Sequence, residues 1–324
     1  MKKIAILTSG GDAPGMNAHI RSVVRSANYN NLTVFGVMNG YEGLIDGEFI
    51  EMKNASVANV IQRGGTILKT ARSKRFLEEK YRKQAYNNLV EWGIDGLIVC
   101  GGDGSFTGAQ VFENETGIKV IGTPGTIDND LYGTDFTIGF DTAINTVVEA
   151  IDKIRDTADA HGRIFFIEVM GRSAGYIAMH SGIGSGAEAI FVPEKEGDYE
   201  NFVSKFEQSG RSDKLFSIIV VAEGDESGGA IKVAEQLKQK FSDISVRVSI
   251  LGHIQRGGNP SCRDRVLASR LGAGAVEALI NGKSNGMIGE KNNEIVFVPF
   301  TEALGKKKES KEGAMLDLIR ILSL

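Results

Sequence analysis

Short apolar runs alternate with amphipathic segments from the first residues of the chain onwards. Ile4–Leu7 has the composition of a buried strand, Ala18–Ala27 has helical periodicity, and Leu32–Val37 forms a second apolar run. A strand, a helix and a strand in this order form a βαβ unit, whose two strands run parallel. The start of the chain therefore predicts a parallel sheet covered by helices.

The same alternation continues toward the C-terminus in two blocks. The predicted helices are Val57–Gln62 (with Ser56 as N-cap), Glu79–Trp92, a helix opening at Phe106, Ala143–Thr157, Ala174–Ile183, Tyr199–Glu207, Ala230–Lys240, Arg263–Ile280 and Ala314–Ile321. The predicted strands are Gly96–Cys100, Lys119–Ile121, Arg163–Met170, Ala189–Val192, Phe216–Ala222, Val246–Leu251 and Ile295–Val298. Gly40–Asp46 is rich in turn residues and is predicted to be hairpin-like. The pattern as a whole predicts an α/β fold.

Composition narrows the class of protein. The chain has 324 residues, of which 42% are hydrophobic and 24% charged, as in globular proteins, and this length allows two domains. The net charge of −4 argues against broad nucleic-acid binding. The apolar run after Met1 is too short for a signal peptide, and no run is long enough to span a membrane. With only Cys100 and Cys262 and no disulfide framework, we expect a reduced, cytoplasmic protein.

Three loops rich in Gly and Asp each follow an apolar strand. They are Gly10–Asn17, Gly101–Ser105 and Gly122–Asp130. Open parallel sheets bind ligands at the carboxyl ends of their strands, and backbone N–H groups of such loops bind phosphate. No dinucleotide fingerprint, Walker lysine or protein-kinase signature accompanies them. The loops therefore predict a phosphate and metal site of another kind.

Asp128 and Asp130 stand two residues apart just after the strand Lys119–Ile121. In an extended or turning backbone such residues lean to the same side, so one carboxylate could ligate a hard cation while the other accepts a proton from a substrate. A polar turn without chemistry is the alternative for such a pair taken alone.

Five motifs taken in order resemble the bacterial ATP-dependent 6-phosphofructokinases over essentially the whole chain. The motifs are Gly10–Asn17, Gly101–Ser105, Pro124–Asp130, Met170–Arg172 and Gly252–Gly258. The resemblance implies two αβα three-layer domains with mostly parallel sheets, an active site in the cleft between them, and a homotetramer. It implies an ATP-binding domain of residues 1–138 and 252–303, and a sugar-phosphate-binding domain of residues 139–251 and 304–324.

The implied reaction transfers the γ-phosphoryl group of MgATP to O1 of fructose 6-phosphate. Phosphoryl transfer needs an oriented nucleophile, a charge clamp and a metal. Asp128 would be the general base, Arg172 would neutralise charge on the moving group, and Thr126 would assist at the catalytic site. Asp103 and Asp130 would hold Mg²⁺ directly or through water.

The resemblance also implies the residues that contact each ligand. ATP would contact Gly11, Arg72, Ser73, Gly102, Asp103, Gly104 and Ser105. Fructose 6-phosphate would contact Thr126, Asp128, Asp130, Arg163, Met170, Gly171, Arg172, Glu223, Arg247, His253 and Arg256. In the family, Arg163 and Arg247 reach the site from a neighbouring subunit.

Each of these residues has a simpler interpretation when it is taken alone. Arg72 belongs to a basic cluster that a solvated helix start would explain, and Arg163 could be an exposed charge at a strand start. His253 could be a loop residue bonded to backbone, and Gln255-Arg256 could be part of a turn. Only the occurrence of the five motifs in this order favours an active site over these simpler interpretations.

The phosphoryl donor depends on two small residues, Gly104 and Gly125. Family members that use pyrophosphate carry Asp at the first position and Lys at the second. A carboxylate at position 104 would repel the α-phosphate of ATP, so Gly favours ATP. Rival functions are a tagatose 6-phosphate kinase, a pyrophosphate-dependent phosphofructokinase, an NAD kinase and a catalytically silent nucleotide-sensing subunit.

An effector site is the part where the sequence departs from regulated family members. The residues that match the family's pattern for ADP or phosphoenolpyruvate are Arg21, Arg25, Arg155, Glu188 and Lys214. Asn54 stands where those members usually have Arg, and Asn59 where they have Asp. Because one cation is missing, we expect regulation to be weak or absent.

Overall fold

The computed structural model describes residues 1–195, 197–208, 217–308 and 312–322. The α/β class predicted from the sequence is confirmed, because mostly parallel strands alternate with helices. The strands are β1 Lys3–Thr8, β2 Thr33–Val37, β3 Phe49–Met52, β4 Gly96–Gly101, β5 Lys119–Pro124, β6 Ile164–Val169, β7 Ala189–Phe191, β8 Ser217–Ala222, β9 Val246–Ile250, β10 Gly286–Lys291 and β11 Glu294–Pro299. The helices are α1 Met16–Tyr29, α2 Gly40–Asp46, α3 Glu79–Trp92, α4 Asp103–Thr116, α5 Phe140–His161, α6 Tyr176–Gly184, α7 Asp198–Gln208, α8 Ala230–Lys240, α9 Cys262–Ile280, α10 Phe300–Gly305 and α11 Glu312–Leu322.

The chain divides into two compact units, each built from several stretches of sequence. Unit 1 comprises residues 1–127, 131–142 and 256–308. Unit 2 comprises residues 128–130 and 143–255 together with the C-terminal stretch from residue 309. The chain thus crosses between the units near residues 128–142, 255 and 308, and both units are discontinuous in sequence.

Unit 1 is organised around a seven-stranded sheet in the order β11-β10-β5-β4-β1-β2-β3. The inner pairs from β10 to β2 are parallel, and β3 and β11 join the two edges antiparallel. Strand β4 is buried along its whole length, which explains its nearly continuous apolar sequence. Because β1, β4 and β5 are neighbours, their carboxyl ends meet at one edge of the sheet.

Unit 2 contains a four-stranded, all-parallel sheet in the order β7-β8-β6-β9. The central strand β8 is completely buried, and the aromatic ring of Phe166 on β6 packs near Phe202 of α7. Strand β9 lies at the edge, and after the buried Val246 its side chains are exposed or only partly covered. None of the described helices is both long enough and apolar enough to cross a membrane.

The prediction of a hairpin at Gly40–Asp46 was wrong, because this segment forms helix α2. Tyr41, Leu44 and Ile45 are buried at helical spacing, a pattern that the surrounding glycines concealed. Gly43 is required at its position because a Cβ atom there would lie 1.8 Å from the carbonyl oxygen of Met38. Strand β3, which follows α2, was not predicted.

The predicted helix Val57–Gln62 is also absent. A 3-10 turn covers Asn54–Val57, and the Ser56 hydroxyl accepts a hydrogen bond from the Lys53 N–H at 3.1 Å. Asn59 adopts a left-handed conformation with φ of 54°, which interrupts any helix through this segment. Local pattern suggested a helix, but the backbone turns instead.

Two further differences from the sequence prediction concern the start of α4 and the strand β10. Helix α4 begins at Asp103, three residues before Phe106, because the N–H of Phe106 already donates to the carbonyl oxygen of Gly102 at 3.1 Å. Strand β10 was not predicted, since its apolar core is only Met287 and Ile288 between two glycines. The first correction places Gly104 and Ser105 in the first turn of a helix.

Candidate active site

The three Gly- and Asp-bearing loops start at the adjacent carboxyl ends of β1, β4 and β5 in unit 1. The N–H of Ser9 donates to the carbonyl oxygen of Cys100 at 2.9 Å, and the N–H of Gly125 donates to that of Gly101 at 2.9 Å. The Ser105 and Ser9 hydroxyls are 3.0 Å apart. These contacts hold the three loops at one edge of the sheet, as the sequence predicts for a phosphate site.

The amino end of α4 is the part of this edge best suited to a phosphate. Residues Asp103–Ser105 form its first turn, and N–H groups at a helix start attract anions. A Cβ atom built on Gly104 would meet no heavy atom within 4 Å. The space beside Gly104 is therefore open, as the sequence argument for ATP requires.

Gly102, in the loop after β4, lies close to Thr126. A Cβ atom on Gly102 would lie 3.8 Å from the Cβ of Thr126. The hydroxyl of Thr137 donates to the carbonyl oxygen of Thr126 at 2.6 Å, which fixes the backbone there. Thr126 is itself only 8% exposed. A predicted catalytic residue thus lies beside a predicted nucleotide residue within unit 1.

Arg256 contacts the loop that begins at Gly10. Its Nη1 donates to the carbonyl oxygen of Asp12 at 3.2 Å, and a Cβ atom on Gly11 would come within 2.5 Å of the same nitrogen. A side chain at position 11 would therefore displace the guanidinium from its present position. The structure brings Arg256 to Gly11, a residue that the sequence assigned to ATP.

The segment that carries Arg72 and Ser73 is fastened to the same loop. The Thr70 hydroxyl donates to the carbonyl oxygen of Gly10 at 2.9 Å, and the Thr8 hydroxyl donates to that of Lys69 at 2.8 Å. The Ser73 hydroxyl accepts a hydrogen bond from the backbone at Phe76, and Arg72 is exposed to solvent. An exposed guanidinium held beside a glycine loop is suited to a phosphate chain.

Asn17 fixes the start of that segment, a role that sequence analysis missed. Its Nδ2 donates to the carbonyl oxygens of Arg63 and Gly64, and its Oδ1 accepts the N–H of Ile67 at 2.7 Å. The side chain is only 1% exposed. The polar residue that ends the Gly10–Asn17 motif was the available signal, but its partners lie about fifty residues away and could not be inferred.

In unit 2, the buried carboxylate of Asp128 lies beside the guanidinium of Arg172. Asp128 is 1% exposed, and its Oδ2 is 3.4 Å from Nε of Arg172, whose side chain is about half exposed. Asn129, the next residue, has φ of 55°, so the chain turns sharply between Asp128 and Asp130. A carboxylate and a guanidinium thus lie side by side in unit 2.

The loop Met170–Arg172 follows the end of β6 and is held by Glu223 at the end of β8. Oε1 of Glu223 accepts the N–H of Arg172 at 2.8 Å and that of Gly171 at 3.3 Å. The predicted substrate residue Glu223 therefore contacts the loop directly. Unit 2 thus brings Asp128, Met170–Arg172 and Glu223 to one region.

Arg163 and Arg247 lie elsewhere in unit 2. Arg163 precedes β6, whereas Met170 follows it, and six residues of strand separate them by roughly 20 Å. Arg247 pairs in register with Phe165 near the same amino end of the sheet. Within one unit the structure does not bring these two arginines to Asp128. His253 is exposed in a 3-10 turn after β9.

The predicted effector residues occur in separate groups. Arg21 and Arg25 lie one turn apart on α1 in unit 1, where burial and the charge of Arg25 lower the pKa of Arg21. In unit 2, Nη1 of Arg155 is 3.9 Å from Glu188, and its Nη2 donates to the carbonyl oxygen of Ser185 at 2.6 Å. Lys214 lies outside the described residues.

Asp264 is a second buried polar residue that sequence analysis missed. It lies in the first turn of α9, and its carboxylate accepts hydrogen bonds from the N–H groups of Gly139 and Thr142 and from the Thr142 hydroxyl. Burial raises its pKa to about 6 in spite of these three donors. Ser261 followed three residues later by an acidic side chain is a helix-start signature, but the partners at the start of α5 are not visible in it.

Mg²⁺ is the ion that the predicted chemistry requires. Among the described residues, no group of three or more His, Cys, Asp or Glu side chains is arranged to hold a metal. Mg²⁺ usually keeps several waters and is held by one or two carboxylates together with substrate phosphates. Asp103 fits that kind of binding, because its carboxylate is exposed at the start of α4 beside the open space at Gly104.

Comparison with known proteins gives consistent results. Residues 3–279 match the family described as Phosphofructokinase. The chain is 53% identical over 315 residues to the ATP-dependent 6-phosphofructokinase of Cytophaga hutchinsonii, covering 97% of this chain and 96% of the relative. It is 53% identical over 324 residues to ATP-dependent 6-phosphofructokinase 1 of Thermus thermophilus, with complete coverage of both.

Solved structures agree with the sequence relatives. The phosphofructokinase from Saccharomyces cerevisiae superposes with a TM-score of 0.88 at 36% identity, covering 99% of this chain. This chain spans 47% of the length of that yeast chain. A pyrophosphate-dependent phosphofructokinase from Marinobacter aquaeolei has the same fold, with a TM-score of 0.82 at 24% identity over 96% of this chain and 86% of its own. A family model matches most of the chain, and relatives over its full length are 53% identical to it. This chain therefore belongs to the phosphofructokinase family.

Proposed function

We propose that this protein is an ATP-dependent 6-phosphofructokinase. It transfers the γ-phosphoryl group of MgATP to O1 of fructose 6-phosphate and forms fructose 1,6-bisphosphate and ADP, a step of glycolysis. The observation that carries the proposal is the buried Asp128 carboxylate with Nε of Arg172 at 3.4 Å. A proton acceptor next to a cation is what an in-line phosphoryl transfer to a hydroxyl requires.

Asp128 acts as the general base in this proposal. Its carboxylate takes the proton of the 1-hydroxyl while the hydroxyl oxygen forms a bond to the γ-phosphorus and the bond to the leaving ADP oxygen breaks. Arg172 offsets the charge that develops on the moving group. The adjacent guanidinium is placed to attract the carboxylate form of Asp128.

The nucleotide binds along the edge formed by β1, β4 and β5 in unit 1. Backbone N–H groups of Gly11 and of Gly102–Ser105 donate to its phosphates, and Arg72 with Ser73 closes the opposite side. Asp103 and Asp130 would hold Mg²⁺, which would offset the negative charge of the phosphates. The domain assignment follows, with unit 1 binding ATP and unit 2 binding most of the sugar phosphate.

The sugar phosphate is bound by residues of two subunits. The proposed contacts to its 6-phosphate are Arg163, Arg247, His253 and Arg256, and Met170, Gly171, Glu223 and Thr126 surround the ring. Because Arg163 and Arg247 lie at the other end of the unit 2 sheet from Met170, we assign them to the site of a neighbouring copy in a homotetramer. The exposed side chains of Ile250 (53%) and Ile254 (58%), at and after the edge strand β9, support such an interface.

We place this activity in the cytoplasm. Both cysteines are free thiols, Cys100 buried and Cys262 exposed, which fits a reducing compartment. Burial raises the pKa of Cys100 to about 12, so that thiol stays protonated and unreactive.

A substrate matrix tests the proposal. The purified full-length chain is assayed with ATP or pyrophosphate as donor, and with fructose 6-phosphate, tagatose 6-phosphate or NAD as acceptor, with and without Mg²⁺. We expect ATP with fructose 6-phosphate to give the largest kcat/KM and to require Mg²⁺. Lack of turnover with that pair overturns the proposal, and a larger kcat/KM with pyrophosphate or with tagatose 6-phosphate identifies the rival function.

A further inference from the structure

Three consecutive backbone N–H groups in the loop after β6 donate to side chains instead of to other backbone groups. The N–H groups of Gly171 and Arg172 donate to Glu223, and that of Met170 donates to Oε1 of Gln255 at 3.1 Å. At these three N–H groups, no backbone–backbone hydrogen bond determines the shape of the loop. Two side chains determine it instead.

Gln255 is one of these two side chains, and its own position is fixed by burial and by a second hydrogen bond. It is completely buried, and its Nε2 donates to the carbonyl oxygen of Gly252 at 3.0 Å. Its amide orientation follows from its partners, because the N–H of Met170 can only donate and the carbonyl of Gly252 can only accept. One amide thus links the loop after β6 to the 3-10 turn that carries His253.

The loop needs such external support. Gly171 has φ of 144° and Arg172 has φ of 53°, a conformation that a side-chain-bearing residue adopts only when its surroundings impose it. Gly224, next to Glu223, is required here because a Cβ atom would lie 1.8 Å from the carbonyl oxygen of Arg172. The direction in which the Arg172 guanidinium leaves the backbone depends on this imposed conformation.

We infer that Gln255 is a positioning residue for phosphoryl transfer, which holds the Met170–Arg172 loop so that Arg172 faces Asp128. The inference rests on the role proposed above for Arg172. Gln255 touches neither substrate in this account and acts through the loop alone. Its loss misplaces a group used in the transition state, so kcat is reduced and the KM for ATP is not.

The first test removes both hydrogen bonds at nearly constant volume. We expect Gln255→Met to lower kcat by roughly ten- to a hundredfold with little change in the KM for ATP. Gln84→Met is the matched control, since Gln84 is exposed on α3 and donates one hydrogen bond to the carbonyl oxygen of Ile45. A Gln255→Met enzyme with the kcat of the control overturns the inference.

The second test uses a pH profile and does not depend on how well the first variant folds. Gln255→Glu keeps the acceptor for Met170, but it can donate to Gly252 only when protonated. We expect its kcat, relative to the unaltered protein, to be low at pH 8 and to recover toward pH 6, because burial raises the pKa of a carboxyl group. A pH-independent ratio overturns the inference.

A double-variant cycle separates this inference from the role of Arg172. If Gln255 acts through Arg172, Gln255→Met lowers kcat in the unaltered protein but not further in an Arg172→Ala background. An additive loss in both backgrounds overturns the role of Gln255 alone. If Arg172→Ala alone has the kcat of the unaltered protein, both the proposed role of Arg172 and that of Gln255 are overturned. This single variant is enough to recognise that outcome.

Discussion

Asp128 combines a carboxylate with almost complete burial, a combination that ordinary folding disfavours. A buried ionised group costs free energy unless it is paired and hydrogen-bonded, and here Arg172 supplies the opposite charge at 3.4 Å. At the scale of the residue, the burial that costs stability lies at the side chain proposed as the general base.

This arrangement makes a sharp prediction for one substitution. Asp128→Asn keeps the shape but removes the proton acceptor, so kcat should fall by roughly 10²–10⁴ while both KM values change little. Steady-state kinetics at saturating MgATP measures this. Asp159→Asn, on the exposed face of α5, is the control and should keep its activity. A kcat within a few-fold of the unaltered protein would show that another group is the base.

Helix α1 carries a buried histidine, His19, where it packs against α9. This titratable group has no role in the proposed reaction. A Cβ atom on Gly272 of α9 would lie 3.0 Å from the carbonyl oxygen of His19 on α1, so the helices approach closely there. His19 is fully buried, and neither of its ring nitrogens has a hydrogen-bond partner among the described residues. Burial lowers its pKa to about 3, and the imidazole is therefore neutral in the folded protein.

Stability should consequently decrease below the ordinary histidine pKa of 6.5. The unfolded chain binds a proton at His19 as the pH falls, and the folded protein does not, so folding stability is lost progressively from pH 6.5 toward pH 3. Between pH 7.5 and pH 5 this amounts to about 2 kcal/mol for His19 alone. The loss should be absent from His19→Leu and retained in His161→Leu, whose histidine is exposed. Urea unfolding at the two pH values, compared between these variants, measures it; equal pH dependence in all three would contradict it.

At the scale of the whole molecule, the placement of Arg163 and Arg247 has a consequence for assembly. They lie at the end of the unit 2 sheet opposite Met170, and a site that needs them has to receive them from a second copy. In the proposed homotetramer, each active site would combine Asp128 of one chain with Arg247 of another. Such a heterologous contribution is testable without knowing the assembly in detail.

Mixed oligomers should therefore restore activity. Asp128→Asn and Arg247→Ala are each expected to be nearly inactive, yet a random mixture of the two chains should recover about a quarter of the unaltered activity, because some sites receive only intact residues. Co-expression with two affinity tags and assay of the doubly purified fraction measures this. Recovery no greater than the sum of the two variants would place Arg247 and Asp128 of one chain in one site.

The predicted effector site is the other property that belongs to the whole molecule. Asn54 is exposed at the edge of a cavity of about 510 Å³ and accepts a hydrogen bond from Nδ2 of Asn28 at 3.2 Å. A missing cation removes a charge-assisted bond of about 1.5–3 kcal/mol, which is comparable to the usual coupling of about 1–3 kcal/mol between two sites. We propose that an anion still binds at the predicted effector site but shifts the conformational equilibrium little.

Saturation curves for fructose 6-phosphate decide this. With millimolar phosphoenolpyruvate or ADP we expect less than about a threefold change in half-saturation, and a larger change after Asn54→Arg, because an effector acts only through its differential affinity for two states. Ala55→Arg, one position along the same exposed turn, controls for added charge. A large effect in the unaltered protein, or a weaker one in Asn54→Arg, would show that the pocket is assigned wrongly.

The sequence by itself determined the fold class and the order of the chemical groups. An apolar run of strand length, such as that of β4, is typical of a strand covered on both faces of a sheet, so local composition indicates burial. The glycines and aspartates after β1, β4 and β5 lie at one edge because neighbouring parallel strands end together. Local pattern is sufficient for these conclusions.

Only the tertiary structure decided how those groups are held. Asn17, Gln255 and Asp264 each bind backbone groups that are distant in sequence, and no spacing rule predicts such partners. The helix at Gly40–Asp46 likewise forms because its apolar side chains are buried by the rest of unit 1, against the preference of its glycines. Propensity and periodicity act within a few residues, whereas burial and side-chain hydrogen bonds to distant backbone depend on which segments packing brings together.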